Sequence, residues 1–272
     1  MRFLTADYLF PLNTTPIKEG VLQISDDGKV IAIFENRREV SQDKLEIFEG
    51  IICPGFVNAH CHLELSHLKG SAEKGKGFVE FSKIIRLRDN YTDSAKKQAI
   101  ENAEKEMISN GIVGVGDICN KVDTLEKKQK ENLTYYNFIE TFGVDLNNVD
   151  VVFNQAIELR NEFRAAGQKA SIVPHAPYSV PPVLMNKINN AFDKTDELLT
   201  IHMQETNEEN QLFENQDGAF FDWLNSINAT SSIWLNRNKP TDILQELSDK
   251  KVLLVHNTFA KKEDITDNYY CT

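Results

Sequence analysis

Short apolar runs alternate with charged, helix-forming segments from about residue 54 onward. The runs are GIVGVGDI, LTYYNFIE, KASIVPHAP, ELLTIHMQE and KKVLLVHNT. Between them lie three segments with helical periodicity, SAKKQAIENAEKEMISNG, DVVFNQAIELRNEFRAAG and PPVLMNKINNAFDK. The first is predicted to begin at a Ser94 cap and to stop at Gly111. Strands that are apolar throughout and alternate with helices predict an α/β fold, with a parallel sheet covered on both faces.

The first fifty residues instead have the pattern of β-structure. VLQISDDGKVIAIFE contains two β-prone runs joined by Asp26, Asp27 and Gly28, which is a hairpin signal. KLEIFEGIICPG is a further extended run that closes at Pro54 and Gly55. We therefore expect two parts, a β segment over residues 1–53 and the α/β unit over residues 54–272.

The charge balance limits the class of partner. The 272 residues carry a net charge of -11, and a nucleic-acid or anionic-membrane surface would need a basic patch. No apolar run approaches the roughly 20 residues that a membrane helix requires, so a cytoplasmic location is expected. The cysteines form no CxxC pair and are interpreted as reduced, buried thiols: Cys53, Cys61, Cys119 and Cys271. The expected partner is a small molecule.

The histidines concentrate at one kind of position. Of the six in the chain, five occupy the C-terminal ends of predicted strands, together with Asp117, and His67 lies just beyond one. The five are His60, His62, His175, His202 and His256. In a closed parallel barrel, that edge carries the active site. Histidines distributed through a core would have no reason to choose it.

His60 and His62 are two residues apart on a strand, so their side chains point to the same side. Taken alone, the pair is explained equally well by histidines that happen to lie on a strand. His202 on a later strand would complete a set of three imidazoles, and such a set favours a bound divalent cation.

Glu205 and His256 are the candidate catalytic groups. Glu205, three residues beyond His202, can take a proton from an attacking water and pass it to a leaving nitrogen. Alternatively, it opens the acidic helical stretch ETNEENQLFE, where a carboxylate is favourable near the N-terminus. His256 ends an aliphatic strand and could orient the water or the developing oxyanion. Alternatively, a backbone carbonyl caps its ring.

Four further side chains have weaker signals. His175 lies between two prolines, in a rigid turn that either presents its imidazole to a substrate or is simply well packed. Asp117 is interpreted as structural rather than pocket-lining. Glu64 and His67 follow the first histidine pair and are predicted to line the substrate pocket.

PGFVNAHCHLE, PHAPYSV, IHMQE and LLVHNT, in that order, resemble the amidohydrolase superfamily. They look most like its mononuclear aminohydrolase branch, which includes the adenosine-type, guanine, S-adenosylhomocysteine and aminodeoxyfutalosine deaminases and the chlorotriazine hydrolases. The resemblance implies a (β/α)8 TIM barrel and a small β-sandwich built from both chain ends. Residues 1–53 would then be the N-terminal segment of that sandwich.

Site roles follow from the same resemblance. It implies three metal ligands: His60, His62 and His202. It makes Glu205 the proton shuttle, His256 the second catalytic residue and His175 a substrate contact. Lys169 precedes its strand, and no lysine stands where a two-metal site needs a bridge. One divalent ion is therefore expected, with zinc favoured over iron, although three histidines alone do not distinguish the two metals.

The chain departs from the family pattern near its C-terminus. The family's fourth ligand is an aspartate at the end of strand eight, and we find none. Asp264 and Asp267 fall in the expected helix after strand six, and NYYCT resembles the opening of strand seven. The barrel is thus expected to be incomplete after strand six or seven. Either the sequence is a fragment of a longer active enzyme, which we favour, or it is a shortened non-catalytic protein.

The expected activity is deamination of a purine-like nucleoside or related heterocycle, with release of ammonia. The alternatives are loss of chloride or an alkylamine from a triazine, hydrolysis of a ring amide, and no catalysis at all. The sequence does not rank the substrates. A homodimer is compatible with the resemblance and with an exposed sheet edge.

Overall fold

The computed structural model describes residues 1–192, 197–229, 237–247 and 251–272. The chain divides into two compact units, Met1–Phe56 and Val57–Thr272. Within the described ranges, no helix is both long enough and apolar enough to cross a bilayer.

The N-terminal unit is built from short strands: β1 (Arg2–Thr5), β2 (Tyr8–Leu9), β3 (Ile17–Lys18), β4 (Val21–Ile24), β5 (Val30–Phe34), β6 (Leu45–Ile47) and β7 (Ile51–Ile52). One sheet has the order β5-β4-β1-β6 and the other the order β3-β2-β7. β4 and β5 pair antiparallel across the turn at Gly28, whose φ is +83°. The hairpin predicted from Asp26, Asp27 and Gly28 is therefore confirmed.

The second unit alternates strands with helices. Its strands are β8 (Phe56–Cys61), β9 (Ile112–Cys119), β10 (Thr134–Thr141), β11 (Lys169–Pro174), β12 (Leu199–Met203), β13 (Val252–His256) and β14 (Tyr269–Cys271). Its α-helices, within the described residues, are α1 (Phe78–Ile85), α2 (Asp93–Ser109), α3 (Leu125–Lys128), α4 (Val149–Ala165), α5 (Pro182–Ala191), α6 (Asn207–Asn215), α7 (Gly218–Ser226) and α8 (Ile243–Glu246).

Strand order in this unit follows chain order. One sheet runs β8-β9-β10-β11 and the other β12-β13-β14. The pairs β9–β10, β10–β11, β12–β13 and β13–β14 are all parallel. The predicted mixed α/β architecture with parallel strands is confirmed, and so is the extended NYYCT segment. All five apolar runs contain a strand, and most residues of each strand are buried.

The main core of this unit lies between the sheets and the helices that cover them. Buried side chains from β10, β11 and β13 meet those of α4 and α5; examples are Phe138, Ile172, Leu254, Phe163 and Leu184. Burying each such side chain stabilises the fold by about 1.5–3 kcal/mol. This core fixes the strands, and so fixes the residues at their C-terminal ends.

Several local expectations are corrected. The cap of α2 is Thr92, whose side chain accepts from the Ala95 amide, and not Ser94. Asp264 ends a short 3-10 turn (Lys262–Asp264) rather than lying in an α-helix. Of the four cysteines, only Cys119 is fully buried, and Cys53 is exposed. The predicted third helical segment ends at Ala191, and its last two residues, 193 and 194, lie outside the described ranges.

Candidate active site

Three histidines from the two parallel sheets meet in one cluster. His60 lies in β8, His62 directly follows that strand, and His202 lies in β12. Their potential ligand atoms all lie within 4.8 Å of one another. The Nε2 atoms of His62 and His202 are 3.2 Å apart, although the residues are 140 positions apart in the chain. The fold therefore gathers the three imidazoles that were predicted to form a set.

The ring of His202 has a fixed orientation. Its Nδ1 donates to the backbone carbonyl of His175 at 2.9 Å, and its own backbone amide donates to the same oxygen at 2.9 Å. A carbonyl oxygen can only accept, so the proton of the neutral ring is on Nδ1 and the lone pair is on Nε2. Glu140 Oε1 lies 3.5 Å from Nδ1 and supports the same tautomer.

The donor set fits a divalent ion. Burial, followed by repulsion from His256, lowers the pKa of His60 to about 4. Burial and neighbouring histidines lower the pKa of His62 and His202 well below their usual range. His60 Nδ1 is buried and has no hydrogen-bond partner. Neutral imidazoles whose lone pairs converge are suited to zinc and iron alike.

Glu205 and His256 lie at the rim of this cluster. Glu205 follows β12 by two residues, and its Oε1 is 3.8 Å from Nε2 of His256 at the end of β13. The ring centroids of His256 and His202 are 5.4 Å apart. Burial raises the pKa of Glu205 to about 7, and the carboxylate of Glu140 adds to the shift. A carboxyl group with this pKa can both accept and return a proton near neutral pH.

His175 directly follows β11 and borders the cluster from the other side. Its ring centroid is 4.9 Å from that of His202, and its Nδ1 is 2.7 Å from Ser179 Oγ. Arg237 Nη1 donates to the backbone carbonyls of Pro177 and Val180, at 2.8 and 2.7 Å. Arg237 therefore anchors the C-terminal side of the proline-bounded turn, and Ser179 holds its imidazole in place.

Glu64 and His67 lie in the first loop, on a 3-10 helix (Leu63–Leu68), and are not part of the cluster. Glu64 Oε2 accepts from the backbone amides of Asn120 and Lys121, at 2.9 and 3.1 Å. His67 Nε2 donates to the carbonyl of Arg88 at 3.0 Å. These contacts hold the loop together, and the predicted substrate-binding role of the two residues stays a prediction.

Asp117 has the structural role that the sequence favoured. Its Oδ2 forms an ion pair with Lys128 Nζ at 2.5 Å, and both side chains are completely buried. Its Oδ1 accepts from the backbone amide of Leu63 at 2.8 Å, directly after His62. The carboxylate thus fixes the backbone next to the histidine pair.

Two residues of this region were missed at the sequence level. Glu140 ends an apolar run on β10, and the strand-end rule that selected the histidines would also have selected this carboxylate. Its Oε1 is buried without a hydrogen bond, and burial raises its pKa to about 7. The sequence did not indicate that Lys128 is buried, because the charged segment around it has the composition of a solvated helix.

Both the family and the fold of the chain are found in known proteins. The model of the Amidohydrolase family matches residues 51–268, so the chain belongs to that family. The chain is 24% identical over 219 residues to aminodeoxyfutalosine deaminase of Nitratiruptor sp., covering 79% of this chain and 53% of that protein. It is 26% identical over 226 residues to adenosine deaminase of Helicobacter pylori, covering 81% and 54%. The chain therefore spans about half the length of these curated relatives.

Solved structures agree on the fold. The Helicobacter pylori aminofutalosine deaminase in complex with methylthio-coformycin superposes with a TM-score of 0.81 at 23% identity, covering 97% of this chain and 66% of that one. An adenosine deaminase from Xanthomonas campestris with bound zinc gives a TM-score of 0.67 at 17% identity, covering 96% and 58%. At these identities the likeness concerns the fold alone.

Proposed function

We propose that this chain carries the catalytic site of a metal-dependent hydrolase that removes an exocyclic amine from a purine-like nucleoside. The observation that carries the proposal is the cluster of three imidazoles with Glu205 and His256 beside it. The names of the relatives support this choice of reaction and substrate class, since aminodeoxyfutalosine, adenosine and 5'-deoxyadenosine deaminases are among them.

A divalent ion bound by His60, His62 and His202 would supply Lewis acidity that makes water nucleophilic near neutral pH. Glu205 accepts the proton that the attacking water loses as its oxygen bonds to the amine-bearing ring carbon. His256, 3.8 Å from that carboxyl group, orients the oxygen. Glu205 then delivers the proton to the departing nitrogen, the carbon–nitrogen bond breaks, and ammonia leaves. His175 positions the heterocycle.

We further propose that the two parallel sheets are arcs of one (β/α)8 barrel over residues 54–272, with β14 as the seventh strand. Residues 1–53 would be the N-terminal segment of a small β-sandwich. Two observations support the barrel. Neighbouring strands within each sheet are consecutive in the chain, and the amide of His202 on β12 donates to the carbonyl of His175, directly after β11. Strand eight, with the aspartate expected as a fourth ligand, would belong to the additional length of the relatives.

The metal is proposed to be a single zinc ion, which the zinc-bound structure from Xanthomonas campestris supports. A cytoplasmic location, a homodimeric assembly and the absence of nucleic-acid or membrane partners stay predictions. Substrate-binding roles for Glu64 and His67 are also kept as proposals.

The test combines metal analysis with one substitution. We expect about one zinc or iron per purified chain, and ammonia release from adenosine or 5'-deoxyadenosine. Glu205→Gln should lower turnover by about 10²–10⁴-fold without changing the metal content, because only proton transfer is lost. Glu208→Gln, at a half-buried position three residues further along the chain, is the matched control.

Turnover retained in Glu205→Gln would remove that residue from the mechanism. Chloride release from a chlorotriazine without ammonia release from nucleosides would favour the alternative leaving group. A folded chain that retains no metal would support the non-catalytic alternative.

A further inference from the structure

The backbone around the Glu205–His256 pair adopts an unusual conformation. Three residues next to or within the pair have positive φ: Gln204 at +48°, His256 at +76° and Asn257 at +53°. Residues other than glycine rarely occupy this left-handed region, and each instance costs on the order of 1 kcal/mol or more. Such conformations persist only where surrounding contacts hold the backbone in them. Contacts of this kind must therefore hold Gln204, His256 and Asn257.

Backbone hydrogen bonds join the two loops that carry the pair. The amide of Asn257 donates to the carbonyl of Met203 at 2.9 Å, and the amide of Phe259 donates to the carbonyl of Gln204 at 3.2 Å. The loop after β12 and the loop after β13 are thus paired beyond the ends of their strands. The two bonds lie directly before Glu205 in one loop and directly after His256 in the other.

Side chains reinforce the same junction. Gln204 Nε2 donates to Asp264 Oδ2 at 2.8 Å, and Asn210 Nδ2 donates to the carbonyl of Phe259 at 3.0 Å. Gln204 is only 3% exposed and Asp264 only 6%. We call these four residues, Gln204, Asn210, Phe259 and Asp264, the loop clasp.

Asp264 is a fixed acceptor within the clasp. Its Oδ2 also accepts from the backbone amide of Lys261 at 3.0 Å, and its Oδ1 lies 3.4 Å from Lys239 Nζ. The carboxylate is thereby held by the 3-10 turn that follows β13. A bond from Gln204 to this fixed point determines where the next residue, Glu205, places its carboxyl group.

We propose that the Gln204–Asp264 hydrogen bond is a positioning device that holds the carboxyl group of Glu205 against the imidazole of His256. This inference rests on the proposed function for its catalytic consequence. The hydrogen bonds of Gln204 and Asp264 go to Asn210, Phe259, Lys239, Lys261 and each other rather than to the imidazoles of the cluster, so both act through Glu205. Loss of the bond lowers the rate of proton transfer and leaves substrate affinity and metal content unchanged.

The test is a double-mutant cycle on kcat and KM with Gln204→Met and Asp264→Ala. A misplacement of about 1 Å costs about 10²-fold in rate, so we expect each variant to lower kcat by about 10–100-fold with KM nearly unchanged. The double variant should be no slower than the slower single variant, because both remove the same bond. Zinc content, measured in each variant, should stay at the unsubstituted level.

A conservative variant separates positioning from charge. Oδ2 of Asp264 accepts both the hydrogen bond from Gln204 Nε2 and the one from the Lys261 amide. Asp264→Asn can place its carbonyl oxygen there and should therefore restore kcat to near the unsubstituted value. Asp267→Ala, at an exposed position three residues further on, is the matched control.

Unchanged kcat in Gln204→Met and Asp264→Ala, together with lower stability, would overturn the proposal and leave the clasp a purely structural feature. If the unsubstituted chain releases no ammonia, the proposed function fails for this chain, and amide hydrogen exchange tests the clasp instead. Gln204→Met should then speed exchange in both 204–210 and 256–261 while β9 stays protected. Protection retained in both loops would refute the clasp.

Discussion

Lys128 carries a charge into the interior of the second unit, where its ammonium group is fully enclosed. Nζ donates to Asp117 at 2.5 Å and to Asn137 Oδ1 at 2.7 Å. Removing one partner of a buried ion pair leaves the other charge uncompensated. We expect Lys128→Met to lower the free energy of unfolding by about 3–5 kcal/mol, measured by urea denaturation.

The control for this prediction is Lys97→Met, which removes an exposed ion pair with Glu126. It should change stability little, since solvent screens exposed pairs. Equal effects of the two substitutions would show that burial of the Lys128 pair does not matter.

Glu209 provides a pH-dependent contribution to stability. Burial raises its pKa to about 8, against the opposing effect of hydrogen bonds from the backbone amides of Glu205 and Gln204. A carboxyl group whose pKa is raised on folding favours the folded state below its unfolded pKa, and this contribution is lost as pH rises to about 8. Relative to Glu209→Gln, the natural chain should therefore lose stability between about pH 4.3 and pH 8.

Urea unfolding at pH 5 to 9 measures this difference, with Glu208→Gln, a half-buried position on the same helix, as the control. A difference between the natural chain and Glu209→Gln that is constant over this range would contradict the prediction.

At the level of single residues, the histidines and Glu205 could be selected as candidate site residues from the sequence. Each stands at or near the end of an apolar run, and that position can be seen in the local sequence. It could not locate Lys128 as the partner of Asp117, or Asp264 as the partner of Gln204. Those pairs depend on how separate elements pack, and a charged segment has the same pattern whether its lysine faces solvent or the interior.

Among the elements, the contact between β8 and β9 is especially close. A Cβ atom on Gly116 would lie 2.4 Å from the carbonyl oxygen of Ala59, which directly precedes His60. Gly116→Ala must therefore displace the histidine-bearing strand. We expect a loss of stability of about 1–3 kcal/mol, measured by urea denaturation, and weaker zinc binding, measured by calorimetry.

Gly143→Ala is the matched control, because its added Cβ would meet Val152 at an ordinary 3.5 Å. If Gly116→Ala bound zinc as tightly as this control, the close contact between β8 and β9 would not affect the position of His60.

Element type and order were predictable, because the length and apolar character of each strand reflect burial on both faces. The residues at which the elements begin and end were less predictable. Thr92 and Ser94 are both good caps, and only the tertiary position of the chain decides that Thr92 accepts from Ala95. The 3-10 turn at Asp264 is closed locally by bonds between Asp264 and Lys261, whereas the bond from Gln204 to Asp264 is not encoded by the local sequence.

Metal binding should stabilise the second unit as a whole. His62 and His202 are separated by 140 positions, and an ion held between them favours the folded state over the unfolded chain. At a free zinc concentration 100-fold above Kd, the expected gain is about 2.7 kcal/mol. Thermal melting with zinc and with a chelator measures it, and His62→Ala should abolish the shift. An equal shift in that variant would place the ion elsewhere.

The same separation has a consequence for synthesis of the chain on the ribosome. Strands β8, β9 and β10 each pair with the next strand to emerge, so the sheet β8-β9-β10-β11 can assemble in the order of translation. His202 emerges 140 residues after His62, a delay of about 7–28 s at ordinary elongation rates. During that interval the first two histidines have no third partner. Nascent chains therefore complete the three-histidine cluster late, and those that stop before β12 are released without it.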